Sequence, residues 1–484
     1  DGASSNIRLL DTNANGKINR ITIDIANPNG ETWVLFGALP YDLAVTDDSL
    51  NVTISSVSIS GLATANPVVL QVNLDESDAD LDVDTSASAV EIIYTAGPGS
   101  AIRDGVDEQL NAIASGDTGA TNTETDAAAP ALRTDGSNAP QYEDNDANGR
   151  IDRVRLVFSE ATTITYADAN WTATANNLFG FDVSAISSGN GSTTIYLTAT
   201  ANAALTGVSG ATEPTLAFAH ATNITDGANP LVSISATSLV DAAAPRVYTG
   251  SPTIGTVYQD ATGDGVIDRL QLTFTETISL NGTILASDFT LGNSGFNGSL
   301  TGNASVASST AIYLSVTGAD ADETSSTTTP TIAYVDGAGR SIEDAASNDA
   351  VDFSATNLYD SATPRIKATG GRFTLDNNSN GVVDYVKLVF TEGFIDDSFS
   401  ASDVCASTSS GTCVAGDLTE AFAVLTPSSG LETDVANDAT VYVGIANGTQ
   451  TISSNLTNYT LAVQLIGTVS DGFNVLSAEG SATN

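Results

Sequence analysis

Four copies of one short segment constrain this chain more than any other feature. The segment reads DTNANGKINRITIDI from Asp11, DNDANGRIDRVRLVF from Asp144, DATGDGVIDRLQLTF from Asp260 and DNNSNGVVDYVKLVF from Asp376. The last three starts are 116 residues apart and the first interval is 133. Self-similarity at that period means tandem units, each the size of one small domain. Two further markers recur. DAAAP at Asp126–Pro130, DAAAP at Asp241–Pro245 and DSATP at Asp360–Pro364 precede the loops, and an Asp-Gly turn falls late in each unit, at Asp104, Asp226, Asp336 and Asp471. These marks divide the chain into 1–129, 130–244, 245–363 and 364–484. A proline at each junction pre-sets the backbone, so neighbouring units are expected to be held semi-rigidly.

Each unit reads as β. After the loops, Ile21, Ile23 and Ile25, then Val154, Leu156 and Phe158, Leu270, Leu272 and Phe274, and Val386, Leu388 and Phe390 alternate with polar residues. Period two over six or more residues is the signal of a half-buried strand. Later strands are expected at Ile195–Leu197, Ile312–Leu314 and Val441–Val443, and again around Leu216 and Phe218, Ile332 and Tyr334, Leu461 and Val463. No segment offers an amphipathic helix. About seven short strands per unit fit a β-sandwich.

The loop itself carries chemistry. Oxygen-bearing side chains stand at its positions 1, 3, 5 and 9, with glycine at 6 and an aliphatic residue at 8. Those side chains are Asp11, Asn13, Asn15 and Asn19; Asp144, Asp146, Asn148 and Asp152; Asp260, Thr262, Asp264 and Asp268; and Asp376, Asn378, Asn380 and Asp384. Alternate residues of a tight turn point oxygens inward, and glycine permits the sharp bend, which is how hard cations such as calcium are held. The first loop, with one carboxylate, is expected to be the weakest. The plain alternative is an Asx-rich turn that caps itself without metal.

The loop resembles the first part of an EF-hand or dockerin calcium loop. It departs from that family at position 12, where Thr22, Arg155, Gln271 and Lys387 replace an acidic ligand, so the loop runs into a strand and any further ligand comes from elsewhere. The junction aspartates Asp126, Asp241 and Asp360 are the candidates. The D-x-A-x-P junction, strand pattern and late turn resemble tandem bacterial immunoglobulin-like repeats of surface proteins. That resemblance implies four immunoglobulin-like sandwiches in an all-β chain, of the kind found in adhesins, surface layers, fibres and enzyme stalks.

Composition narrows the function. A formal net charge of −43 excludes nucleic acid and anionic membrane as partners, because phosphate binding needs clustered Lys and Arg. It also sets side-by-side assembly against self-repulsion, which bound divalent cations or high salt would relieve; adaptation to salt is a competing explanation. No apolar run approaches the ~18 residues of a membrane span. The start at Asp1 and the absence of Met point to a removed leader and a secreted product. Cys405 and Cys413 suit a surface-loop disulfide in an oxidising compartment, with free thiols as the alternative. One histidine, His220, and no nucleophile or phosphate-loop motif argue against an enzyme. Trp33 and Trp171 are read as core residues rather than sugar platforms, and N-x-S/T sites permit glycans without requiring them.

The expected function is therefore a non-catalytic, calcium-stabilised subunit of an extracellular lattice or filament, with an adhesin or carbohydrate-binding stalk as the alternative. The first unit has only ten residues before Asp11 and no proline-led segment. It is expected either to lack its first strand, inviting a strand from another copy head to tail, or to be a shorter capping unit.

Overall fold

The computed structural model describes residues 4–393 except 49, 86–89, 98–99, 106–108, 114–123, 177–179, 201–212, 221, 232, 249–254, 293–294, 296, 321–328, 377–378 and 380–384. Beyond 393 it describes 404–407, 422–424, 439–445, 462–465, 469–470, 475–476 and 482–483. Every element among these residues is a strand or a single 3-10 turn. No helix among them is long and apolar enough to cross a membrane. The chain forms two compact units, Asp1–Ala243 and Ala244–Asn484.

The first unit contains two apolar cores. In the first, strands run in the order Glu124–Asp126, Ser4–Leu10, Arg20–Ile25, Val68–Leu74, Ile54–Ser60. A second sheet of Leu50–Asn51, Leu43–Asp47 and Val90–Tyr94 adds Val45, Ile92 and Tyr94 to the core that Ile7, Ile21, Ile23 and Leu70 begin. The second core repeats the plan. Asp182–Ser188, Ser192–Thr200, Arg153–Ile164, Gln141–Glu143 and Val240–Asp241 make one sheet, and Trp171–Thr174, Thr215–Ala219 and Ser233–Ser238 the other. Val154, Leu156, Ile195, Leu197, Leu216 and Phe218 fill the space between.

The second unit builds its own version. One sheet orders Ser299–Ser308, Ala311–Thr317, Arg269–Thr273, Val257–Gln259 and Tyr359–Asp360, and Phe289–Gly292, Thr331–Tyr334 and Phe353–Asn357 form another. Further along, Tyr385–Val389 lies between Arg372–Leu375 and Thr440–Ile445. The period-two alternation explains the placement: Val68–Leu74 and Val90–Tyr94 bury every second residue, as does Arg269–Thr273.

Each plan closes the same way. The last strand pairs parallel with the strand entering the loop: Glu124–Asp126 with Ser4–Leu10, Val240–Asp241 with Gln141–Glu143, and Tyr359–Asp360 with Val257–Gln259. The D-x-A-x-P junction leaves directly from that strand. The chain ahead of Asp11 is not missing a strand. Ser4–Leu10 pairs with Arg20–Ile25 across a register shift, with Ser4 opposite Ile25. Leu132 opposite Phe158, Val247 opposite Phe274 and Ile366 opposite Phe390 are the matching contacts of the proline-led segments. The first plan simply runs as one strand what the later ones interrupt.

Trp33 and Trp171 are buried, as expected of core residues, and Trp171 packs on Tyr166 and Phe218 with centroids 6.2 and 5.0 Å away. His220 follows the strand Thr215–Ala219 and is exposed; its Nδ1 accepts the Thr222 N–H at 3.2 Å. Cys405 lies on the strand Val404–Ser407, whereas Cys413 lies outside the described residues.

Candidate metal centre

The loops fold as their spacing demands. In the second, Asp144 accepts the N–H groups of Asn148 and Gly149 at 3.0 and 2.9 Å, and Asp152 accepts those of Asn145 and Asp146 at 3.0 and 3.2 Å. Position 4 takes a left-handed backbone, with φ of 57° at Ala14, 63° at Ala147, 74° at Gly263 and 56° at Ser379. One carboxylate oxygen each from Asp144, Asp146 and Asp152 lies within 4.8 Å of the others.

The third loop uses the same bonds. Asp260 accepts Gly263, Asp264 and Gly265 N–H at 2.6, 3.1 and 2.8 Å, and Asp268 accepts those of Ala261 and Thr262 at 2.9 and 3.0 Å. In the fourth, Asp376 is described; Asn378, Asn380 and Asp384 lie outside the described residues.

The first loop holds a residue that its sequence does not announce. Glu76 accepts from Asn13 Nδ2 at 3.0 Å, Asn15 Nδ2 at 3.0 Å and Asn19 Nδ2 at 2.5 Å. Asp11 accepts Asn13 and Gly16 N–H at 3.2 and 2.7 Å. A second carboxylate thus faces the loop that carries the fewest of its own.

Asp126 does not complete a loop. It joins Glu160 and Asp226, and one carboxylate oxygen from each lies within 4.8 Å of the other two. The elements responsible are local. Asp126 ends the strand Glu124–Asp126 and is fixed by the Ala128 N–H at 2.9 Å, the first turn of the D-x-A-x-P junction. Glu160 lies where Arg153–Ile164 loses its register between Val157 and Thr162, so the alternation breaks and residues 156–160 are all buried. Such an irregularity re-aims side chains. Asp226 follows the strand Ile224–Thr225 and accepts the N–H groups of Ala228 and Asn229, each at 2.6 Å. Thr85 donates to Glu160 Oε1 at 2.5 Å.

Glu160 is only 5% exposed, and three negative side chains converge on it. Burial pushes its carboxyl to about 8; a hydrogen bond from Thr85 opposes this, and the charges of Asp126, Asp226 and Asp84 add to it. Asp126 rises to about 6, chiefly by burial and then by its hydrogen bond with Asp226. Burial also pushes Asp226 up, but the Asn229 and Ala228 N–H donors outweigh it and hold this group below its usual range. A buried carboxylate is costly unless a cation or donors compensate it.

The chemistry of the donors fits one class of ion. All three are carboxylate oxygens, which select hard cations over zinc or copper. Oxygens around one calcium stand about 2.3–2.6 Å from it, hence up to about 5 Å from each other. The 4.8 Å span of the cluster meets that condition.

Parts of this arrangement recur. Glu276 and Glu392 are each 5% exposed, like Glu160. The residue before each glutamate accepts the first N–H after the junction proline: Ala131 to Ser159, Arg246 to Thr275 and Arg365 to Thr391, all at 3.0 Å. Glu276 and Asp344 each bring an oxygen within 4.8 Å of the other. Asp344 accepts Ala346 N–H, Asn348 N–H and Asn348 Nδ2, each at 2.8 Å, matching Asp226. The counterpart of Asp226 is therefore Asp344 rather than Asp336, because the turn there is Asp-Ala. Asp336 instead accepts from the Tyr334 hydroxyl.

No family model matches the chain, and no curated protein matches it. Among solved structures it is similar to the S-layer protein SbsC, at 13% identity and a TM-score of 0.16, over 99% of this chain and 53% of that one. A structure of domains 1–6 of the same surface layer protein gives 11% identity and a TM-score of 0.13, over 100% of this chain and 66% of that one. The chain thus spans about half the length of the first of these. At such TM-scores the folds do not superpose.

Proposed function

We propose that this chain is a non-catalytic structural subunit of an extracellular assembly, built from four tandem immunoglobulin-like modules and stiffened by calcium where the modules join. The observation that carries this reading is the convergence of Asp126, Glu160 and Asp226 at the Pro130 linker. Three carboxylates, one of them only 5% exposed, are held by separate elements, and the charges of Asp126, Asp226 and Asp84 all act against ionisation of Glu160. A divalent ion there would bind the end of one module to the strands of the next. The loops are the second place for calcium, with Asp144, Asp146 and Asp152 the best-provided set.

Calcium would supply charge neutralisation and a fixed coordination geometry. The chain's own residues do the rest: the Ser159 hydroxyl and strand irregularity place Glu160, and the Asp126 turn places the junction. The −43 charge opposes packing copies together unless cations neutralise it, which is why calcium is tied to self-association in this reading. The adhesin or carbohydrate-stalk reading gains nothing from Trp33 and Trp171, which are buried.

Electron microscopy of the full chain in negative stain tests the reading. With millimolar calcium, ordered arrays or filaments are expected, and with EDTA isolated particles. Isolated particles under both conditions would overturn the self-association. Calorimetric titration with calcium tests the ion: Glu160→Gln should bind one calcium fewer than the parent, and equal stoichiometry would remove Glu160 from the site.

A further inference from the structure

We propose that Arg365 is the resident cation of the third loop, so that this loop takes no divalent ion and is tied to the Pro364 linker without one. The inference is independent of the reading of Asp126, Glu160 and Asp226. Arg365 follows the junction proline directly, and its Nε lies 3.2 Å from Asp260 Oδ2, an ion pair not aligned as a hydrogen bond. The Asp260 side chain is fully buried, at 0% exposure, and Arg365 retains 22%. Asp260 is position 1 of its loop, the first ligand a metal would need. Its two oxygens are already used by three backbone N–H groups and the guanidinium.

Gly263 supplies the second observation. Position 4 is left-handed in all four loops, yet Ala14, Ala147 and Ser379 adopt that backbone elsewhere. Conformation alone therefore does not require glycine at 263. Space does. A Cβ on Gly263 would stand 2.8 Å from Arg365 Nη2, 3.1 Å from Cζ and 3.4 Å from Nη1. The guanidinium rests on the bare backbone of the loop. In the third loop the position-4 glycine is the residue on which the Arg365 guanidinium lies.

The test uses the full chain. In EDTA, Arg365→Ala is expected to lower the melting temperature of the transition it affects by about 5 °C. Gly263→Ala should lower it as well, by displacing the same guanidinium. In a calcium titration of the otherwise unaltered chain, Asp260→Asn should leave the number of bound ions unchanged. Because Asp260 also closes the loop and its loss could prevent folding, Asp264→Asn, at an exposed position, is measured alongside with the same expectation. Loss of one bound calcium in either aspartate variant would overturn the proposal. So would an Arg365→Ala melt in EDTA indistinguishable from the parent. Glu160→Gln reports on the Pro130 linker alone, so failure of one reading is distinguishable from failure of the other.

Discussion

The Pro130 and Pro364 linkers start alike and differ in the charge that the residue after the proline brings. Both carry D-x-A-x-P, a hydroxyl that accepts the first N–H after the proline, and a buried glutamate next to that hydroxyl. At Pro130 the next residue is Ala131, and the nearby carboxylates of Asp126, Glu160 and Asp226 crowd together. At Pro364 the next residue is Arg365, which brings positive charge to the loop of Asp260. A side-chain cation is permanent and needs no solute. A set of unneutralised carboxylates makes its region answer to ion concentration and pH. At Pro364 the residue after the proline thus supplies a built-in cation to the adjoining loop.

The largest expected difference between the two regions is their response to calcium. A ligand at about a hundred times its dissociation constant stabilises by about 2.7 kcal/mol. For a unit of this size that is about 5–10 °C in melting temperature. The transition of the first compact unit should shift by that amount between EDTA and saturating calcium, followed by scanning calorimetry. An unshifted first transition would break the comparison. Glu160→Gln should reduce that shift while leaving the EDTA melt equal to or above the parent's, since the amide resembles the protonated acid without its charge.

The pH dependence sharpens the same point. Glu160 rises on folding from an ordinary 4.5 to about 8, and Asp126 from 3.8 to about 6. Between those limits the folded state holds protons that the unfolded chain has released. Calcium-free stability should therefore fall as pH rises from about 4.5 to 8, the reverse of a salt-bridged carboxylate. Calcium should flatten or invert that slope, because it competes with the same protons. Denaturant melts at pH 5 and 8 measure both. The smallest effect belongs to Asp135→Asn. Its exposed pair with Arg133, at 3.0 Å, holds the carboxyl down to about 2, chiefly through the arginine hydrogen bond. Exposed pairs contribute about 0–1 kcal/mol, so its melt should match the parent in both calcium and EDTA.

What was legible in the sequence was what repeats or alternates. The first three loops, the junction prolines and the strands around Ile195, Ile312, Leu216 and Ile332 sit where period and punctuation place them. The burial of Glu160 comes from a strand irregularity that alternation does not encode. Glu76 was illegible because it reaches the first loop from about sixty positions away. Asp344 was missed because its turn lacks the glycine that marks Asp226. The opening strand Ser4–Leu10 carries no proline to mark it, and its pairing with Arg20–Ile25 needs none.

The parallel pairing of last strand with first also says how each module bears tension. The chain enters along Gln141–Glu143 and leaves along Val240–Asp241, side by side and pointing the same way. Pulling the two ends apart slides one strand along the other, so its hydrogen bonds are sheared together rather than unzipped in turn. Glu124–Asp126 against Ser4–Leu10 and Tyr359–Asp360 against Val257–Gln259 carry the same geometry. These three modules would resist stretching by one shared mechanical device.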